Sequence, residues 1–415
     1  MRFPDDWKWL FSPEGQEALK LAESLSTRDE LKILTFLREK FHLAPEYAAL
    51  VVQQMNLRER AKAKFPESAD RWFFTPVGLE QATDAWVAAY KASRFPKGVP
   101  AADVCCGIGG DLAALALDRP VLGVDADPLT AAIAEWNLQT TVGKNASSES
   151  RVQAITAEDF LDQTRPEDFP SIHIDPDRRS EGVRTSQLFW FSPGLEVIEE
   201  LLEGRQTAAV KLAPGTQVPE TWLYRADELE WISRGRECRE LVVWFREGVH
   251  HPDGALRRAT VLKSHSSEVA GTICGRAGVP VPAAGVPGQY IYDVDSSVLA
   301  ADLEGELARK YDLRRFGEGT VYLTGQEFIP DSEISCFKIL KILPLDKKIV
   351  IQEARKLGWT NPEIKKRGKV PGPEIVRKWF RGPEKGESGT IILVQTTTRA
   401  WAVFCKRKVE EIRPK

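Results

Sequence analysis

One stretch limits what this chain can fold into more than any other: Ala101-Ala-Asp-Val-Cys-Cys-Gly-Ile-Gly-Gly-Asp-Leu112. A short apolar strand ends in Asp103. A glycine-rich turn follows, and Leu112-Ala-Ala-Leu-Ala-Leu117 continues as a helix. Strand, glycine turn and helix N-terminus together form a seat for a nucleotide-like ligand, because glycine lets backbone N–H groups approach it closely.

The next strand narrows the ligand. Pro120-Val-Leu-Gly-Val-Asp125 is apolar and ends in an acid. Asp125 lies about 20 residues after the turn, where a carboxylate accepts hydrogen bonds from both hydroxyls of a ribose. A dinucleotide fingerprint fits poorly: its third glycine is replaced by Leu112, and Asp103 stands where a pyrophosphate would pass. An acid there suits a cationic ligand. S-adenosylmethionine, with its ammonium and its sulfonium, is such a ligand.

From residue 100 onwards strands and helices alternate. Strands are expected at 101–105, 121–125, 151–156, 171–175 and 207–212, with helices at 111–117, 128–138, 158–161 and 192–202. Such alternation predicts a parallel sheet with helices on both faces. A hairpin over 229–233 and 239–245 and a strand over 257–263 then add an antiparallel edge, giving an α/β, doubly wound Rossmann-like mixed sheet. Before it, residues 14–25, 29–40 and 45–64 read as helices. Leu31, Leu34 and Leu37, and Ile33 and Phe36, supply apolar spacing, and residues 26–29 supply caps. A helix over 78–92, started at Thr75-Pro76, bridges into the sheet. Thr75, Glu80 and Gln81 face the ligand's amino-acid end or merely cap and solvate that helix. A Gly/Pro/Ala-rich linker is expected over 271–289. A smaller α+β domain follows, with a strand at 290–293, helices at 297–311, 346–357 and 373–380, and a strand pair at 390–397 and 401–406. The domains expected are 1–70, 71–270 and 289–415.

The charge is uneven. The chain of 415 residues carries a net charge of -3, yet from Asp331 onwards it has 20 Lys+Arg against 10 Asp+Glu. A basic end on an acidic body fits either a polyanion-binding appendage or a solvated face. The N-terminus shows no signal-peptide pattern and no apolar run is long enough for a membrane helix. The six cysteines (105, 106, 238, 274, 336, 405) show no framework or zinc spacing, as in a reduced, cytoplasmic protein. The five histidines show no ligand spacing, so no metal is expected; His250-His251 reads as a loop at the sheet's edge.

Three further stretches complete the expected site. In Ala157-Glu158-Asp159-Phe160 an acid can bond an adenine amino group, with Phe160 on the ring or giving its N–H; the same acid can be a helix cap. In Ile172-His-Ile-Asp-Pro-Asp-Arg-Arg179, Asp175 stands at the carboxyl end of a strand, where ligands of open sheets bind. Arg178 and Arg179 grip a phosphate or pair with neighbouring acids. Lys211, inside an apolar strand, is costly to bury unpaired: it forms an ion pair with a site carboxylate or reaches solvent at the strand end. No cysteine stands in these last two motifs, which weighs against carbon methylation through a covalent adduct.

Together Asp103-Val-Cys-Cys-Gly-Ile-Gly-Gly-Asp111, Gly123-Val-Asp-Ala-Asp-Pro128 and Asp175-Pro176 resemble a class I S-adenosylmethionine-dependent methyltransferase. The D-x-C-x-G-x-G-G-D form is similar to the trimethylguanosine-synthase-like branch, which modifies RNA. With Phe74-Thr-Pro-Val-Gly-Leu-Glu-Gln-Ala-Thr83 and Lys211-Leu-Ala-Pro-Gly215, the whole chain resembles bacterial methyltransferases ending in a THUMP-like domain. The resemblance implies a turn formed by Asp103, Gly107 and Gly109, a ribose held by Asp125, adenine held by Asp159, and Asp175 at the methyl-acceptor position. It also implies an RNA substrate. Amino-methylating relatives carry Asp/Asn-Pro-Pro-aromatic, whereas this chain has Asp175-Pro-Asp-Arg178. Two other readings stay open: a cofactor-binding protein that has lost catalysis, and a methyltransferase of protein or small molecules.

Overall fold

The computed structural model describes residues 4–142, 149–177, 191–249, 251, 253–380 and 389–408, and the backbone of 179–180 and 183–184. Arg178 and His250 lie outside the described residues, as does the Arg179 side chain. By internal packing the chain divides into two units. The first holds residues 1–227, 242–255 and 265–268; the second holds 228–241, 256–264 and 269–415.

The first unit opens with helices α1 (Asp5–Phe11), α2 (Pro13–Ser24), α3 (Glu30–Lys40) and α4 (Pro45–Ala61). Ser12 accepts from the Gly15 N–H to start α2, and Asp29 accepts from Leu31 and Lys32 to start α3. The inward stripe of α3 is Ile33 and Leu37, while Leu31 is 75% exposed, so the expected stripe through Leu31 is off by one face. These helices pack around Trp7, Leu19, Val51, Phe73 and Phe74. Two buried amides then fix the extended segment that leads to the sheet. Gln54 exchanges both bonds with the Phe74 backbone at 2.7 and 3.1 Å. Asn137 does the same for Phe73 and donates at 2.9 Å to the carbonyl of Ile108, inside the glycine turn.

The single helix expected over 78–92 is two, α5 (Pro76–Gln81) and α6 (Ala85–Ser93). Asp84 caps α6 through the Val87 N–H, which breaks the helix and turns Thr83 inward.

The sheet follows as β1 (Ala101–Val104), α7 (Gly110–Leu115), β2 (Val121–Val124), α8 (Pro128–Val142), β3 (Arg151–Gln153), α9 (Ala157–Gln163), β4 (Ser171–Ile174), the short pair β5 (Arg179–Ser180) and β6 (Val183–Arg184), α10 (Leu195–Leu202), β7 (Thr207–Leu212) and α11 (Glu220–Arg225). Strands β8 (Glu228–Arg234), β9 (Glu237–Arg246), β10 (Leu256–Leu262) and β11 (Val269–Gly275), all in the second unit except the end of β9 from Val242, complete the sheet. The order is β11-β10-β8-β9-β7-β4-β1-β2-β3, a nine-stranded mixed sheet. β1, β2 and β4 are buried along their whole length, as parallel strands covered on both faces must be. β8 and β9 join through Gly235 and Arg236, both at positive φ, the tight hairpin turn that matches strand twist. Two expectations are corrected here. β10 pairs β8 in parallel, and β11 occupies the first residues of the expected linker, antiparallel to β10.

The second unit adds β12 (Tyr290–Val294), α12 (Ser296–Ala300), α13 (Glu304–Lys310), β13 (Arg314–Arg315), β14 (Leu323–Gly325), β15 (Ile334–Pro344), α14 (Lys347–Lys356), β16 (Glu363–Arg367), α15 (Pro373–Arg377), β17 (Thr390–Gln395) and β18 (Ala400–Lys408). The helix expected over 297–311 is broken at Asp302, whose φ is 56°. The sheet order is β13-β14-β12-β15-β18-β17-β16. Its two faces bury separate cores: Ile391, Leu393 and Phe404 pack with Val350, Ala354 and Trp359, while Ile392, Val403 and Cys405 pack with Ile291 and Phe337. No helix among the described residues is long and apolar enough to cross a membrane.

Candidate active site

The register of the parallel strands builds the site. Val104 is level with Val124 on one side and Ile174 on the other, and Ile174 is level with Val210. One residue further along, Asp125, Cys105, Asp175 and Lys211 therefore form a row across four strand ends. Backbone bonds hold the row: Asp175 N–H donates to Val104 at 3.1 Å, Cys106 N–H to Val124 at 3.0 Å, and Asp125 N–H to Gln153 at 3.2 Å.

The turn itself is shaped by positive φ at Cys105 (60°), Gly107 (56°) and Gly109 (88°). A side chain at Gly107 would point into open space, whereas one at Gly110 would come within 3.0 Å of the Thr83 carbonyl. Small residues at 109 and 110 let α7 start against its neighbours; the bare backbone at 107 faces outward. Gly107 N–H donates to Asp125 Oδ2 and Asp127 N–H to Asp125 Oδ1, both at 3.0 Å. Burial pushes the Asp125 carboxyl up to about 6, against the pull of those two N–H donors.

Beneath the turn lies a buried chain of charges. Asp103 is fully buried and bonds His173 Nδ1 at 2.7 Å. His173 Nε2 is 3.4 Å from Lys91 Nζ, Lys91 lies 2.8 Å from Asp111, and Asp111 accepts from the Thr83 hydroxyl at 2.7 Å. Burial drives the Asp103 carboxyl up, although His173 opposes it. At Asp111 burial acts the same way, but Lys91, His173 and Lys211 outweigh it and hold the carboxyl below its ordinary range. The Thr83–Asp111 bond explains why the helix over 78–92 breaks where it does. Neither His173 nor Lys91 stands out in the sequence; a histidine and a lysine at apolar positions are the only signal.

Asp175 behaves differently. Lys211 Nζ donates to Asp175 Oδ2 at 2.6 Å, the ion pair that an apolar strand around Lys211 requires. The Asp175 side chain keeps 33% of its exposure, so the pair opens to solvent at the strand ends. Asp177 returns the chain to Ser192 through two backbone bonds, and Gln81 of α5 reaches Asp177 Oδ1 at 3.4 Å. Gln81 thus lies beside the loop that follows β4, whereas Thr75 caps α5 through the Gly78 N–H.

Two sequence readings change. Phe160 is fully buried against Phe169, and its N–H bonds Thr156, so neither its ring nor its N–H is available to a ligand. Asp159 closes a reciprocal capping box with Thr156, and both it and its neighbour Glu158 are exposed. Cys105 stands beside Asp175 in space, although it follows a different strand. Its thiol is pushed well above its ordinary value by burial and by Asp125, Asp175 and Asp103, which makes it a poor nucleophile.

Acids at 125 and 175, with an outward-facing glycine backbone at 107, suit a cationic nucleoside and disfavour a phosphate, whereas Asp103 is sealed beneath the turn on His173. The chemistry of these residues fits S-adenosylmethionine.

Comparison with known proteins agrees. Residues 334–407 match a family model described as THUMP domain-like, and residues 4–61 match a domain of unknown function (DUF8688). A crystal structure from Porphyromonas gingivalis W83, described as a candidate methyltransferase, has the same fold with a TM-score of 0.77 at 20% identity, over 95% of this chain and 98% of that one. An uncharacterised S-adenosylmethionine-dependent methyltransferase of Mycobacterium tuberculosis, found in strains CDC 1551 and H37Rv, is 31% identical over 341 residues, spanning 80% of this chain and 89% of the relative. With that identity over that span, the chain belongs to the S-adenosylmethionine-dependent methyltransferases, and S-adenosylmethionine is its cofactor.

Proposed function

We propose that this methyltransferase modifies RNA, with Asp175 at the methyl acceptor and the second unit gripping the substrate. The observation that carries the reading is the row at the strand ends, where Asp175, a third exposed, stands two strands from Asp125. The basic, THUMP-like residues 334–407 support a polyanionic substrate, since THUMP domains bind RNA. The form of the turn supports a place beside the trimethylguanosine-synthase-like branch. Six cysteines without framework spacing suit a cytoplasmic setting.

When bound, S-adenosylmethionine supplies an electrophilic methyl group on a sulfonium. The chain's part is alignment and charge. Gly107 and Gly109 seat the cofactor by their backbone, Asp125 holds its ribose and the 157–160 turn, through Asp159 or Glu158, its adenine. Asp175 accepts a hydrogen bond from an acceptor N–H and stabilises the positive charge that develops there. Lys211 holds the Asp175 carboxylate in position.

The test is incubation of the purified protein with methyl-labelled S-adenosylmethionine and total bacterial RNA, with Asp125→Ala alongside. Label in RNA from the wild type and not from the variant is the expected result. Cofactor binding without label in RNA would move the assignment to a protein or small-molecule acceptor, or to a pocket that has lost catalysis.

A further inference from the structure

The second unit carries an arrangement that charge counting does not reveal. α14 bears Lys347, Lys348, Arg355 and Lys356 against one acid, Glu353, and Glu353 is buried and paired with Lys341 at 2.9 Å. Every exposed charge on the helix is therefore basic. Arg355 and Lys356 lie in the last turn, where the helix dipole welcomes a cation, but Lys347 and Lys348 lie in the first turn, where it does not. Helix stability thus gives no reason for the second pair.

Lys348, Ile351, Arg355 and Lys356 line a groove of about 590 Å³. Ile351 and Arg355 also line a cleft of about 180 Å³ whose other walls include Trp359, Trp379 and Phe380. Trp359 is buried, whereas Trp379 and Phe380 are half-buried, seated on the core by one side. A basic track thus runs into an aromatic cleft through a shared arginine. Such a combination holds single-stranded nucleic acid: cations follow the backbone and aromatic rings stack on bases. A duplex keeps its bases stacked on one another and cannot enter so small a cleft.

We infer that α14 and the Trp379–Phe380 cleft form a docking site for an unpaired RNA segment, with one base stacked in the cleft and its neighbouring phosphates on Lys348, Arg355 and Lys356. This rests on the RNA reading above and specifies the form of RNA.

The test uses the full chain, a mixed-sequence 12-nucleotide RNA, and the same RNA annealed to its complement. Binding is followed by fluorescence anisotropy across a salt series. The single strand should bind more tightly than the duplex. Trp379→Ala should weaken single-strand binding by about ten-fold, and Trp379→Phe, which keeps a stacking ring, by much less. Arg355→Gln, at an exposed position, should lower the salt slope by about 0.7, the value for one phosphate contact on a single strand. Equal binding of both RNA forms, or unchanged affinity in Trp379→Ala and unchanged slope in Arg355→Gln, would overturn the inference. If the wild type still labels RNA in that case, the RNA reading stands and only this site fails. If the wild type neither binds nor labels RNA, both fail and the cleft is left to a protein partner.

Discussion

Two lysine–aspartate pairs in the first unit differ in little but their surroundings. Lys91–Asp111 is 2.8 Å long with side chains 2% and 8% exposed; Lys211–Asp175 is 2.6 Å long with side chains 12% and 33% exposed. The first is enclosed by Thr83 and His173, and it joins α6 to the start of α7 under the glycine turn. The second stands in the open row at the strand ends. Equal chemistry at equal distance thus serves two purposes. A sealed pair fixes the geometry of the turn, because neither charge has an alternative partner in water. An open pair can exchange its partner for a substrate.

The largest effect should come from breaking the sealed pair. Lys91→Met leaves Asp111 charged and buried, a loss of about 3–5 kcal/mol for an orphaned ion. Denaturant unfolding would read this as a lower midpoint. Adding Asp111→Leu removes the second charge and should restore most of the loss, since an apolar pair of similar volume is often as stable as a buried ion pair. A double variant no more stable than Lys91→Met would mean that Thr83 and His173, not the lysine, hold the turn.

Next in size is Asp175→Asn. The open carboxylate adds little to stability, within about 1 kcal/mol. Its loss should nevertheless cost about 100-fold or more in methyl transfer, the usual scale for a group aimed at developing charge. The two single variants then form a crossed pair. Lys91→Met lowers the unfolding midpoint at modest cost per folded molecule. Asp175→Asn lowers transfer with an unchanged midpoint. Transfer unchanged in Asp175→Asn would remove Asp175 from the acceptor site.

The open row was the more legible of the two regions. An apolar strand that ends in an acid is a local pattern, so Asp125 and Asp175 can be placed from sequence, and a lysine inside an apolar strand demands a carboxylate. The sealed region is assembled from contacts between residues 20 to 82 positions apart, and no local rule links Thr83, Lys91, Asp103, Asp111 and His173. The same blindness explains the unbroken helix expected over 78–92: its break exists to satisfy Asp111, a partner that sequence spacing does not reveal. Cys105 is another case. It is far from Asp175 along the chain and beside it across the sheet. In the second unit, Lys338, Lys341, Lys365, Lys366 and Arg367 interrupt the apolar alternation of β15 and β16, whose pairing is set by distant β12, β17 and β18, so neither strand is legible in the sequence.

A pH series would sharpen the comparison from the cofactor side. Folding raises the Asp125 carboxyl to about 6 from an ordinary 3.8. Between those values the folded chain holds the proton and the unfolded chain does not, so this group's contribution to stability falls as pH rises from about 4 to 6. Ribose hydroxyls donate to the ionised form. Affinity for S-adenosylmethionine should therefore rise with pH, about ten-fold per unit below 6, and level off near 7. Calorimetric titration would show this, and Asp125→Asn should abolish the dependence. A flat profile in the wild type would mean that the ribose is held elsewhere.

The smallest effect should be Lys211→Met, and its smallness carries weight. The variant mirrors Lys91→Met: each removes the lysine of a short ion pair and leaves an aspartate behind. In the open row the Asp175 carboxylate is a third exposed, so water replaces the lysine and the stability cost stays within about 1 kcal/mol. Unfolding midpoints for the two lysine variants, measured side by side, should therefore differ by several-fold in free energy. Transfer in Lys211→Met should fall only a few-fold, since the carboxylate remains and only its aim is loosened, and the conservative Lys211→Arg should recover it in part. A Lys211→Met midpoint as low as that of Lys91→Met would show that the row is structural, and Asp175 would then belong with Asp111 as an anchor of the fold.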